Sequence, residues 1–384
     1  MSRVGAADAV VIGAGLFGCA VAERLASLGR SVLVLDRGDL GGEASGANSG
    51  NLHLQLSPAT HADDTAGWME RFARQLPLFV AAIEEWEQLA KRLPAPIALR
   101  RTGGIMVAET AAEVEALETK IRLERAHGLA VDLLGVGELR SLAPYLGDGI
   151  VGASYCAGEG MADPLAAVAS LADLARKAGA MFRLHTVVTG LQEGVRGWEV
   201  ATSAGHITCR QVVIAAGLWS AQLAAMVGVH LPITHRPIHV SVTEVAEPLV
   251  GHLCYHTSLR LTLKQVPRGN LVIGGGWGAG LDEARDRPIV LRDSLVRSLG
   301  VVQRVVPATG PLGLLRCWAG RNVYTPDGWP ILGPVPGRPG LHLAVCNTYG
   351  FTLGPLCGRL VGDALAGPRA DVGWAEAGIA RFRC

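Results

Sequence analysis

The sequence predicts an α/β fold in two parts. One is a dinucleotide-binding domain on a mostly parallel sheet, and the other is a discontinuous domain on a mainly antiparallel sheet. Three observations predict it. A strand–helix–strand unit occupies residues 8–36 around the spacing Gly13-x-Gly15-x-x-Gly18. Residues 228–300 hold β-forming stretches separated by turns. Short apolar runs suited to buried strands return at 211–215 and 341–346.

The first unit reads clearly. Residues 9–12 are an apolar run for a strand buried on both faces, 16–28 a helix stopped by Gly29, and 31–35 a second buried strand closed by Asp36. Gly13 permits the tight turn, Gly15 lets a pyrophosphate approach the backbone, and Gly18 lets the helix pack on the sheet. The helix N-terminus offers amides and a positive dipole end to phosphate. Asp36 is placed to accept hydrogen bonds from a ribose, and its charge opposes a 2′-phosphate, which disfavours NADP. The alternative is a tight turn with no ligand.

Composition narrows the classes. Of 384 residues, 49% are hydrophobic and 18% charged, with a net charge of +1, so a large core is expected and a basic nucleic-acid surface is not. The cysteines at 19, 156, 209, 254, 317, 346, 357 and 384 form no Cys-x-x-Cys, which predicts no metal or iron–sulfur framework and suits a cytoplasmic protein. The apolar N-terminus is the nucleotide motif itself rather than a leader. Residues 211–235 contain no Asp, Glu, Lys or Arg and are broken at Gly217 and Pro232, which predicts strand, turn and short helix rather than a membrane span.

The glycine-rich stretch 39–58 either wraps a cofactor or links two elements. Asp36 followed by Ala44-Ser45-Gly46-Ala47-Asn48-Ser49-Gly50 resembles the FAD-dependent amino-acid oxidoreductases of the D-amino-acid oxidase and glycine oxidase family. The resemblance implies a Rossmann-like FAD-binding domain, formed by 1–60, 150–227 and 310–384, with a substrate domain formed by 61–149 and 228–309. It implies FAD contacts from Gly13, Gly15, Leu16, Phe17, Gly18, Asp36 and Arg37, and from the loop residues Ser45, Asn48, Ser49, Gly50, Asn51 and Leu52. It adds Val188 (or Val187) beside the adenine, Ala216 and Gly217 beside the dinucleotide, and Gly350, Phe351, Thr352 and Leu353 at a helix N-terminus facing the flavin pyrimidine.

The remaining elements follow in order. Residues 61–93 form helical stretches anchored by Trp68 and Trp86 and ended by Pro94 and Pro96; 101–108 read as turn and strand; 110–127 form a charged helix with a solvated face. Asp163-Pro164 starts a helix that Gly179 stops. Residues 182–188 read as one strand, and 198–209 as a hairpin about Gly205. Strands follow at 232–244, 260–266, 270–274 and 316–320, with a turn-rich loop over 325–333 and a helix to about 365. The stretch 261–277 resembles the β subunits of heteromeric bacterial amine dehydrogenases, the opine and hydroxyproline enzymes among them.

The likeness implies oxidation of a C–N bond in an amino acid, imino acid or opine, with hydride passing from Cα to flavin N5. The substrate leads are D-hydroxyproline or D-proline, and octopine or nopaline. Family oxidases hold the carboxylate with an Arg before the Asp-Gly turn; that place is Asn322 here, and Arg321 lies one residue earlier, on the other strand face. Either a bulge re-aims Arg321, or Arg260, Lys264 or Arg236 serves. Tyr255, Tyr349 and His53 are the other catalytic candidates, and Cys346-Asn347 departs from the family's usual Gly-His. His235, His239, His252 and His256 are expected on differing faces, so no metal is expected. Three readings remain: a dehydrogenase subunit passing electrons to partner chains with iron–sulfur or further flavin centres, a self-contained oxidase using oxygen, and a non-catalytic dinucleotide-binding subunit.

Overall fold

The computed structural model describes residues 3–58, 67–367 and 374–382. The expected helical stretch from 61 therefore begins outside the described residues. From 67 onward it comprises helices Trp68–Ala73 and Leu76–Arg92.

Strand β1 (Arg3–Ile12), helix α1 (Leu16–Ser27) and strand β2 (Val32–Leu35) form the expected unit, with β1 and β2 parallel. They lie in an eight-stranded sheet whose main path runs Ile331–Pro334, Leu341–Val345, Gly205–Ile214, β1, β2, Met181–Arg183. Val188–Gly194 and Gly197–Thr202 extend from the Gly205–Ile214 strand. The central strands are strongly apolar because helices cover one face: α1, Pro164–Lys177 and Gly350–Ala366 pack around Val11, Val34, Leu25 and Leu353.

The second sheet also has eight strands, in the order Leu314–Tyr324, Thr234–Val245, Asn270–Gly274, Thr262–Gln265, Leu253–His256, Gly104–Ala108, Gly152–Cys156, Asp132–Gly135. It is antiparallel except where Leu253–His256 pairs with Gly104–Ala108. Two of its strands, Gly152–Cys156 and Leu314–Tyr324, come from segments expected with the nucleotide part. The chain thus crosses between the sheets at 157–163 and 325–330.

Several expectations need correction. The strand expected over 182–188 is two strands, because His185 adopts φ 53 and turns the chain so that the Thr186 N–H reaches the Asp36 carbonyl at 2.7 Å. The hairpin arm after Gly205 and the buried strand 211–215 are one strand, Gly205–Ile214. The loop over 325–333 contains a strand, Ile331–Pro334. The charged helix Ala111–Ala126, started by a Thr110–Glu113 capping box, is not simply solvated: Lys120 and Glu124 are both 0% exposed. No described helix is long and apolar enough to cross a membrane.

Candidate functional site

A cleft between the sheets has two contiguous lobes that share Gly15, Ser45, Gly217 and Arg321. The outer lobe is walled by Gly13, Asp36, Arg37, Val188 and Ala216. The inner lobe is walled by His53, Tyr255, Tyr349 and Thr352, together with Asn51. The candidates from distant parts of the chain therefore converge.

The outer lobe is built by backbone geometry. Gly13 has φ 116, and a Cβ there would lie 2.3 Å from the Ala215 carbonyl oxygen; only glycine lets β1 turn so close to the neighbouring strand end. Asp36 ends β2 with its carboxylate accepting from the Ala14 N–H at 2.7 Å and the Gly38 N–H at 2.8 Å. Each oxygen keeps acceptor capacity toward the lobe. Arg37 lies over the Trp219 ring, 3.6 Å from its centroid. The Ser45 hydroxyl caps the Leu16 N–H of α1 at 3.0 Å and so draws the 44–51 loop onto the helix N-terminus.

Four residues expected at the cofactor line neither lobe. A Cβ on Gly18 would lie 1.9 Å from the Gly13 carbonyl oxygen, and one on Gly50 would lie 2.1 Å from that of Ala162. Both glycines serve close backbone packing. Leu52 and Leu353 are 1% and 0% exposed in the apolar core.

The inner lobe is a hydrogen-bonded aromatic corner. The His53 backbone N–H donates to Thr352 Oγ1 at 3.1 Å, which ties the end of the loop to the first turn of Gly350–Ala366. His53 Nδ1 is 2.8 Å from the Tyr255 hydroxyl, and that hydroxyl donates to Glu159 Oε1 at 3.1 Å. Tyr349 meets the His53 ring edge-on with centroids 5.5 Å apart, and Phe72 and Phe79 pack against Tyr349. Burial and the nearby Lys264 charge push the His53 pKa down to about 3, so its imidazole is neutral. Burial pushes the Tyr255 hydroxyl well above its ordinary value, so it stays protonated.

The candidate cations sit in different settings, and Arg321 lines both lobes. Pairing between Leu314–Tyr324 and Thr234–Val245 runs without a shift from Thr234↔Tyr324 to Val242↔Arg316, so no bulge re-aims Arg321. Its guanidinium, 4% exposed, pairs with Asp286 at 2.6 Å, while its Nε has no partner among the described residues. Arg260 donates to the Gly276 carbonyl, and Arg236 lies over the Tyr324 ring. Lys264 is 1% exposed with no partner for Nζ among the described residues, and burial lowers its pKa to about 7.

Glu159, Gln55 and Asp286 were not singled out by sequence reasoning. A signal existed for the first: Glu159 is the one charged residue in the stretch 150–162. Of the histidine quartet, His239 meets Ser298, His252 meets Tyr145 and His256 meets Glu109, while His235 and His239, expected on differing faces, share one face of their strand because they lie four residues apart in unshifted pairing.

The donor set fits an extended dinucleotide. An acid stands at one end, side-chain-free glycines and the N-terminus of α1 line the middle, the N-terminus of Gly350–Ala366 lines the inner lobe, and the buried Asn51 Oδ1 beside it has no partner among the described residues. Comparison with known proteins agrees. The family model described as FAD dependent oxidoreductase matches residues 8–364. An opine oxidase subunit of Rhizobium meliloti is 29% identical over 371 residues, 95% of this chain and 94% of that protein. Glycine oxidase of Geobacillus kaustophilus is 30% identical over 360 residues, 93% of this chain and 92% of that protein. The crystal structure of glycine oxidase from Geobacillus kaustophilus matches with a TM-score of 0.86 at 25% identity, covering 99% of this chain and 100% of that one.

Proposed function

We propose, for a chain that belongs to the family of FAD-dependent oxidoreductases, that it oxidises the C–N bond of a small imino acid or an opine as the catalytic subunit of a heteromeric dehydrogenase. The coarser statement stands by itself: this is an FAD-dependent enzyme acting on amino acids or opines. The observation that carries the finer reading is the neutral His53–Tyr255 pair beside Tyr349, at the inner end of the cleft whose outer end presents Asp36.

Bound FAD supplies the acceptor for the electron pair that leaves with the hydrogen on the carbon beside nitrogen. The chain supplies position. Asp36 would hold the ribose, and the loop at Ser45, Asn48 and Ser49 would hold the pyrophosphate. The first turn of Gly350–Ala366, where no side chain of the N-cap residue bonds the free amides, faces the pyrimidine end. The rings of His53, Tyr255 and Tyr349 shape a dry wall that admits a small substrate and keeps water from the reacting carbon. A neutral His53 adds no positive charge beside the substrate nitrogen, and the reaction uses the neutral amine, whose lone pair is available. Lys264, whose Nζ lacks a partner among the described residues, is the leading counter-ion for the carboxylate, with Arg321 second because Asp286 already engages it.

The leads are D-hydroxyproline or D-proline, and octopine or nopaline. The likeness to the opine oxidase subunit supports a role in a larger assembly, with electrons leaving to partner chains that carry iron–sulfur or further flavin centres. The likeness to glycine oxidase supports a second reading, a stand-alone oxidase using oxygen. The test is a visible spectrum of the purified chain, then anaerobic bleaching by glycine, D-proline, D-hydroxyproline and opines, and reoxidation by dye or oxygen with and without partner chains. Bleaching by an imino acid or opine and slow reaction with oxygen are expected. Rapid peroxide formation by the chain alone would overturn the heteromeric role.

A further inference from the structure

We propose that Glu159 is a positioning residue of the inner lobe: through Tyr255 it fixes His53 as the Nδ1–H tautomer and so presents an unprotonated Nε2 to the substrate nitrogen. The proposal rests on the reading of this lobe as an amine-oxidising site.

Glu159 is 0% exposed, in the turn between strands Gly152–Cys156 and Gly160–Met161. Its Oε1 accepts from the Leu54 N–H at 2.7 Å, the Gln55 N–H at 2.9 Å and the Tyr255 hydroxyl at 3.1 Å. Its Oε2 accepts from Gln55 Nε2 at 2.9 Å. All four partners donate. The Gln55 amide cannot turn over to accept instead, because its Oε1 takes Lys120 Nζ at 3.0 Å and the Ser154 hydroxyl at 2.6 Å. Among these partners only the Tyr255 hydroxyl oxygen could accept a proton from Glu159, and the carboxyl oxygen that faces it already accepts two backbone N–H groups. Burial raises the Glu159 carboxyl above its ordinary value, while the donors and Lys120 pull it back. The donor set favours the Glu159 carboxylate against that burial, and the Lys120 ammonium, shared with Glu124, lies one side chain away.

The tautomer follows by counting protons. Tyr255 has one hydroxyl proton and gives it to Glu159. His53 Nδ1, 2.8 Å from the same oxygen, must then be the donor. A neutral imidazole carries a single N–H, so Nε2 is bare. On the cavity side a bare Nε2 accepts from a substrate N–H and leaves the nitrogen lone pair free to form the C=N bond. The opposite tautomer would donate to that lone pair and hold it out of the reaction. Without Glu159 the Tyr255 proton turns to Nδ1 and the opposite tautomer results.

The experiment is nitrogen NMR of the flavin-loaded protein labelled with ¹⁵N-histidine, with His53→Gln used to assign the resonances. The wild-type protein is expected to show His53 protonated at Nδ1, and Glu159→Leu, which removes the acceptor that a Gln amide oxygen would keep, to shift it toward protonation at Nε2. A wild-type His53 protonated at Nε2 overturns the proposal. In anaerobic bleaching with a reactive amine, Glu159→Leu lowers the limiting rate roughly tenfold and KM by less. The same substitution placed on Tyr255→Phe adds no further loss, because Glu159 acts through the hydroxyl; an equal further loss overturns the proposal. If Glu159→Leu does not fold, Tyr255→Phe carries the test: His53 is expected to lose its Nδ1–H preference, and an unchanged tautomer overturns the assignment. If no amine bleaches the wild-type flavin, the amine-oxidising reading fails, while the tautomer still decides the role of Glu159.

Discussion

The Trp318 indole N–H donates to the Ala47 carbonyl at 2.7 Å, so a strand of the second sheet holds the loop that follows the nucleotide unit. Gly320, two residues along the same strand face, makes room for that loop: a Cβ there would lie 2.9 Å from Ala47 Cβ. Trp318→Phe keeps an aromatic ring and orphans the carbonyl. The expected loss is about 1 kcal/mol of stability, read as a lower melting temperature, together with faster flavin release in dilution experiments. Unchanged flavin release would show that the loop holds its place without this bond.

Asp36→Ala removes the charged acceptor of the outer lobe and also frees the Ala14 and Gly38 amides. Hydrogen bonds to charged groups contribute roughly 1.5–3 kcal/mol, so flavin affinity should fall on the order of ten- to a hundredfold. Equilibrium titration of the flavin-free protein measures it. Normal affinity in this variant would remove Asp36 from the ribose.

Lys264 gives a pH signature. Its pKa is 10.5 in an ordinary setting and about 7 in the fold, so between those values the unfolded chain holds the extra proton. Stability is therefore expected to rise as pH rises from about 7 to 10.5 and to be lost as pH falls back through that window, with no further change from this group below 7. Lys264→Met should flatten the slope in denaturant titrations run across that range. If Lys264 also meets the substrate carboxylate, wild-type KM climbs above pH 7 and the variant's KM is high throughout. An unchanged KM in Lys264→Met, with a raised KM in Arg321→Ala, would move the carboxylate to Arg321.

Lys120 and Glu124 form an ion pair at 2.9 Å with side chains 1% and 0% exposed. Glu124 Oε1 also accepts the Leu56 N–H at 2.7 Å. Lys120→Ala leaves a buried carboxylate without its partner, for which a loss of roughly 3–5 kcal/mol is expected. Chemical denaturation measures it, and a loss below about 1 kcal/mol would mean that water or a proton takes the place of the ammonium.

The nucleotide unit was legible because its glycine spacing states a backbone requirement that few other arrangements share. Gly13 and Asp36 stand where that spacing puts them. The meeting of His53, Tyr255 and Tyr349 was legible only through family likeness, since nothing local relates a loop end to residues so much later in the chain. The break at His185 was hidden because a histidine, unlike a glycine, does not announce a positive φ. Lys120 and Glu124 carry the i,i+4 spacing of an ordinary surface pair, and only the approach of Gln55 and Ser154 shows that the pair is interior. Arg321 was placed on the correct strand, but its partner comes from a turn at Asp286 that no pattern tied to it.

Gln55, Lys120, Glu124, Ser154, Glu159 and Tyr255 come from four separate stretches and hydrogen-bond to one another where water does not reach. Taking any one stretch away would strand a charge in an apolar interior, so partial opening is penalised as heavily as complete opening. The second sheet, helix Ala111–Ala126 and the loop at Gln55 should therefore open as a single cooperative unit, with amide hydrogen exchange of the flavin-free chain showing one level of protection across them. Separate early exchange of helix Ala111–Ala126 would mean that this knot of charges does not weld them together.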